Sequence, residues 1–81
     1  MNTTTISDDD LYLYERWSRL RGAEVEVRAR GRHIRRGFVD IAMPDDSALW
    51  LAADGAEGRV LIEAAAGYEV WVSLEILQTL S

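Results

Sequence analysis

The chain has 81 residues, 48 % of them apolar, and a formal net charge of −5. That length holds one domain with a thin core, the apolar fraction excludes wholesale disorder, and the lack of cysteine excludes disulfides and thiolate metal sites. The charge is segregated: residues 1–15 carry −4, residues 16–36 carry +6 through eight arginines, and residues 37–81 carry −7. An acidic whole disfavours non-specific DNA binding, while a basic block permits local contact with anions.

Residues 1–7 are expected to form a disordered tail and residues 8–81 a single domain. Met1–Ser7 lacks the basic and apolar regions of a secretory signal. The longest apolar run, Ala48–Ala53, is far too short to cross a bilayer. No membrane contact and a cytoplasmic location are therefore expected. Ser7 is a good helix cap, and Asp8, Asp9 and Asp10 suit the positive end of a helix dipole. Leu13, Trp17 and Leu20 share one helical face, Arg16, Arg19 and Arg21 fall at the end that favours cations, and Gly22 supplies a stop. Together these predict an N-terminal α-helix over Asp8–Leu20. Tyr12, Tyr14 and Trp17 would pack that helix on a sheet or on a neighbouring subunit.

The most strongly patterned stretch is Gly22–Ile41. Val25, Val27 and Ala29 alternate with Glu24, Glu26, Arg28 and Arg30, the period of a strand with one apolar face. Strand one is expected over Ala23–Arg30, and a two-residue turn at Gly31-Arg32 starts strand two. Ile34 takes the inward parity in the first half of strand two, whereas Val39 and Ile41 take the opposite parity. A bulge at Arg36-Gly37 would bring both halves to one core and bend the strand sharply. Met43–Ser47 reads as a turn set by Pro44. Strands three (Ala48–Ala52), four (Arg59–Ala64) and five (Tyr68–Val72) follow, and Ser73–Leu80 ends the chain as an extension or helical turn. The predicted core is Val25, Val27, Ile34, Val39, Leu49, Leu51, Val60, Ile62, Val70 and Val72.

The fold class so predicted is mainly β: an N-terminal α-helix followed by a strongly bent, five-stranded antiparallel small barrel. The helix, Leu20-Arg21-Gly22, Val25-Glu26-Val27, Gly31, Arg36-Gly37-Phe38-Val39-Asp40 and Leu49-Trp50-Leu51 resemble the first half of Sm-like proteins. That resemblance implies a small barrel, assembly into rings through strands four and five, and RNA held by loops facing the pore. The loop before strand three, Pro44-Asp45-Asp46-Ser47-Ala48, lacks the asparagine with which that family contacts an RNA base. Gly37-Phe38-Val39-Asp40-Ile41 and Ala48-Leu49-Trp50-Leu51 also resemble the SH3-like C-terminal domain of biotin protein ligases, an accessory module. Nothing in the chain is similar to the catalytic part of those ligases.

No enzymatic activity and no cofactor are expected. The single histidine, His33, has no nucleophile and orienting acid placed as a triad needs, and no glycine run has phosphate-loop spacing. Asp45 and Asp46 read as turn residues, and three successive aspartates on a helix would diverge rather than converge on a metal. The arginine hairpin is the one charged cluster under tension. A Gly31-Arg32 turn sets Arg30 opposite His33 and Arg28 opposite Arg35, and like charges across a strand pair repel by up to about 1 kcal/mol. Arg28, Arg30, Arg32, His33, Arg35 and Arg36 are therefore candidate contacts for RNA phosphates or other anions. Trp50 and Trp71 sit opposite the core parity of their strands and, with Leu61 on an unprotected strand four, are candidate interface residues. The expected function is a non-enzymatic binding module that forms a homo-oligomer and docks a protein partner. The alternative is Sm-like RNA binding through the hairpin.

Overall fold

Tyr12-Leu13 is the first of six strands in a computed structural model that describes Ile6, Ser7 and residues 9–80. The strands are β1 (Tyr12–Leu13), β2 (Glu24–Ala29), β3 (Arg32–Ala42), β4 (Ala48–Leu51), β5 (Val60–Glu63) and β6 (Tyr68–Val72). All neighbours are antiparallel, in the order β1-β6-β2-β3-β4-β5. The sheet curls around one core but does not close, so the barrel of the prediction is corrected to an open, six-stranded sheet. One short α-helix, α1 (Leu74–Thr79), ends the described chain, and the Ser73 side chain caps it by accepting from the Ile76 N–H. The radius of gyration is 11.9 Å, close to that of a compact folded chain of this length.

The predicted N-terminal helix is absent over the described residues. Asp8, where it was to start, and residues 1–5 of the predicted tail lie outside them, whereas Ile6 pairs with Tyr12 in an isolated bridge. Ser7 closes a tight turn: its hydroxyl accepts from the Leu11 N–H, and Asp10 takes a left-handed φ of 62°. The chain then lies along β6, with Tyr12 opposite Val72, Leu13 opposite Trp71, and the Tyr14 N–H donating to the Val70 C=O. The β6 backbone has obligatory hydrogen-bonding groups on both sides, and Tyr12–Tyr14 satisfies the outer row. Helix propensity is a weak prior beside such a tertiary demand. Trp17–Arg19 survives as a single 3₁₀ turn that inserts Trp17 into the core beside Leu20. The Asp46 carboxylate accepts from the Ser18 N–H at 2.7 Å and ties this turn to the β3–β4 loop.

The five predicted strands correspond to β2–β6, but the registers differ at the hairpin and along β3. The turn is Arg30-Gly31, with both residues at positive φ (54° and 76°), and Ala29 faces Arg32. That is the primed two-residue turn whose twist suits a hairpin. The bulge lies at Ile34 rather than at Arg36-Gly37: Arg28 faces His33, Val27 faces Arg35, and Ile34 is left over. A second irregularity skips Asp40 between Val39 and Ile41. Each extra residue reverses parity. Arg35, Gly37 and Val39 turn inward, and Ile34 is 48 % exposed. Of the predicted core, Val25, Val27, Val39, Leu49, Leu51, Ile62, Val70 and Val72 are buried and Val60 is half-buried.

Candidate functional site

The bulge at Ile34 divides the arginine set between two faces of the sheet. On the outer face of β2, Glu26 is buried beside Arg36 of β3 and Trp71 of β6, its cross-strand neighbours. Its carboxylate accepts from Arg28 Nε at 2.5 Å and Arg36 Nη2 at 3.3 Å, and His33 Nδ1 lies 3.6 Å away. Arg28 also donates to both carboxylate oxygens of Asp9 at 2.9 Å and stacks its guanidinium 4.7 Å over the Trp71 ring. The repulsion expected between Arg28 and Arg35 does not arise, because Arg28 faces His33. Arg28 and Arg36 are instead neutralised within the chain.

Arg35 has the opposite fate. Only 8 % exposed, it points into the protein and donates to the Gly58 C=O (2.6 Å) and the Ala52 C=O (2.7 Å). Its buried Nε makes no hydrogen bond and faces the Glu57 carboxylate at 3.4 Å. The residue clamps the β4–β5 loop. Arg30 and Arg32, at the hairpin tip, have no ion-pair or hydrogen-bond partner among the described residues. Of the six predicted anion contacts, these two alone keep uncommitted guanidinium groups.

The Glu26 network makes stability depend on acid. Burial pushes the Glu26 carboxyl up, but the hydrogen bond and charge of Arg28, joined by Arg36 and His33, hold it below the ordinary glutamate value. The Ser7 hydroxyl, and after it Arg28, lower Asp9 to about 2. A carboxyl whose folded pKa lies below its unfolded value stabilises the fold above the unfolded value and loses that contribution as pH falls through the folded one. The urea midpoint is therefore expected to be flat near neutrality and to drop from about pH 4.5 toward pH 2. Asp9→Asn should flatten the lower part of that drop. A midpoint unchanged down to pH 3 would overturn this account.

The candidate interface residues also separate. Trp71 is only 7 % exposed. It lines a small cavity with Leu11 and Ile76, lies beneath Arg28, and donates its indole N–H to Glu69 at 3.2 Å. Leu11 of the N-terminal segment and Ile76 of α1 stand around it, so it is not on the exposed outer face expected of an interface residue. Trp50 and Leu61 do share a surface. Trp50 of β4 faces Ile41 of β3 on one side and Leu61 of β5 on the other. Ile41 and Leu61 are 43 % and 37 % exposed. Arg59 stacks 4.3 Å over the Trp50 ring and pairs with Asp40 at 2.9 Å, forming a charged rim. Ile41 was missed because it carried the core parity before the Asp40 irregularity reversed it. The adjoining β5 is an open sheet edge, paired only with β4 among the described residues. At the other end of the sheet, β1 covers β6 from Val70 to Val72.

No group of three or more His, Asp or Glu side chains among the described residues is placed to hold a metal, and no described helix is long and apolar enough to cross a membrane. Compared with known proteins, the chain matches no family model, no curated protein and no solved structure.

Proposed function

We propose that this chain is a non-enzymatic, cytoplasmic binding module that self-associates and presents the resulting surface to a partner. The observation that carries this reading is the apolar row Ile41–Trp50–Leu61, which runs across three strands and ends at the unpaired edge of β5. A bare edge offers backbone donors and acceptors to another strand, and natural sheets usually protect such edges with charge, proline or a covering element. Here β6 is protected by β1, and β5 has no proline and places Leu61 at its centre. Side-chain burial and backbone pairing would therefore be gained together.

Ring assembly through strands four and five, as the Sm-like resemblance implies, is poorly supported, because β1 occupies much of the β6 edge that a neighbour would need. The RNA alternative is also weaker: Arg28, Arg35 and Arg36 are engaged within the chain, leaving Arg30 and Arg32 for phosphates.

Sedimentation equilibrium tests the proposal. The wild-type chain is expected to show a concentration-dependent rise in mass in the micromolar range, consistent with a small interface. Leu61→Glu is expected to remain monomeric and folded, since the side chain is already partly exposed. A wild-type chain that stays monomeric at high micromolar concentration would overturn the reading.

A further inference from the structure

The exposed edge of β5 has a defined hydrogen-bonding pattern, which follows from the pairing on its other side. The Ala64 N–H donates to the Ser47 C=O at 2.9 Å, and across β4 the Met43 N–H donates to the Ala48 C=O at 2.9 Å. Alternate residues of an antiparallel strand turn their backbone groups to opposite sides. Val60 and Ile62, like Ala64, therefore face β4, and the pairing of Leu49 with Ile62 agrees with this. Leu61 and Glu63 turn their N–H and C=O groups to the open side, as does Arg59 when the strand is extended by one residue. Their side chains share the outer face: Arg59 lies over Trp50, and Leu61 is the cross-strand neighbour of Trp50. Glu63 is exposed and has no ion pair among the described residues.

Along this edge the sequence is Arg59-Val60-Leu61-Ile62-Glu63, and run antiparallel against itself it is self-complementary. Building on the self-association proposed above, we infer that a second copy pairs with β5 about a two-fold axis at Leu61. Leu61 then faces Leu61 of the second copy, Val60 faces Ile62, and Arg59 faces Glu63 on both sides of the axis. The three residues with open backbone groups are the ones that meet, so the new ladder has hydrogen bonds at Leu61 and at both charged pairs. Other registers are worse. An axis at Arg59 or Glu63 sets like charges opposite each other, and an axis at Val60 or Ile62 sets a charged side chain opposite Leu61. The two-fold arrangement is isologous and closed. It joins the row Ile41–Trp50–Leu61 to its symmetry mate in one apolar band, with the Arg59–Asp40 pairs along it.

Charge swaps and cross-linking test the register. Arg59→Glu and Glu63→Arg should each weaken association by about tenfold or more, because each puts two like-charge pairs across the axis. An equimolar mixture of the two variants should recover wild-type mass, since both pairs are opposite in the mixed dimer. The chain has no cysteine of its own, so Leu61→Cys should give a covalent dimer on mild oxidation, at a separation within disulfide reach. Glu63→Cys alone should not cross-link, but should do so when mixed with Arg59→Cys. If the wild type dimerises while either the rescue or the Leu61→Cys cross-link fails, the two-fold register is overturned and self-association stands. A monomeric wild type overturns both.

Discussion

Replacing Arg35 with alanine is expected to lower the stability of the fold by about 3 kcal/mol, the loss of two hydrogen bonds made by a charged donor. For a domain of this size that amounts to a fall in Tm of about 12 °C or more. Among the described residues the guanidinium is the only side chain that bonds both ends of the β4–β5 loop, donating to Ala52 at its start and Gly58 at its finish. Between those points the chain closes on itself through the reciprocal backbone bonds of Asp54 and Glu57. Without the clamp the two carbonyls must find water, and the loop loses its fixed position. Arg35→Lys is expected to recover less than half of the loss, because one ammonium is a poor substitute for a planar fork aimed at two acceptors. Urea denaturation gives the value. A loss under 1 kcal/mol for Arg35→Ala would show that the loop holds itself.

Trp17→Ala is expected to cost about 4 kcal/mol, within the range for deleting a buried aromatic side chain. Trp17 is buried against Leu20 and the strand residues of the core, and its indole N–H donates to the Tyr14 C=O at 3.1 Å. It anchors the N-terminal segment to the sheet. If that segment were an appendage, the variant would melt like the wild type, and only the protection of the first residues from proteolysis would change. The expected result is a loss of global stability, with the denaturant midpoint shifted and the slope retained.

The strands were legible because Val25 and Val27, Leu49 and Leu51, Val60 and Ile62, and Val70 and Val72 each recur at every second residue, the period of a strand with one face on the core. The position of the bulge was not legible. Ile34 fits a core position in side-chain chemistry, and Arg35 fits solvent, yet the structure exchanges them. The exchange depends on backbone carbonyls at Ala52 and Gly58, whose closeness to Arg35 is a tertiary fact with no trace in local pattern. The helix over Asp8–Leu20 failed for a similar reason. Leu13, Trp17 and Leu20 have helical spacing, but the unpaired side of β6 competes for Tyr12–Tyr14, and periodicity cannot see that competition. In the candidate interface, Trp50 was singled out by its off-core parity and Leu61 by its place on a strand with no proline or central charge. Trp71 has the same signal, but Leu11 and Arg28 close over it.

The brevity of β1 bears on how many copies can join. Each open edge is one bond that a subunit can make, so a subunit with one such edge is monovalent and its growth terminates at a pair. A subunit with two open edges is bivalent, and bivalent units polymerise. Two residues of β1, together with the Tyr14 N–H, hold β6 out of reach. The second edge of the sheet is thus β1 itself, two residues long and bridged at Tyr12 by Ile6, so that on the self-association proposed above β5 is the longer edge open to a partner. On that same proposal, loss of this segment would uncover the five residues of β6 as a second long edge and permit growth beyond a pair without touching β5.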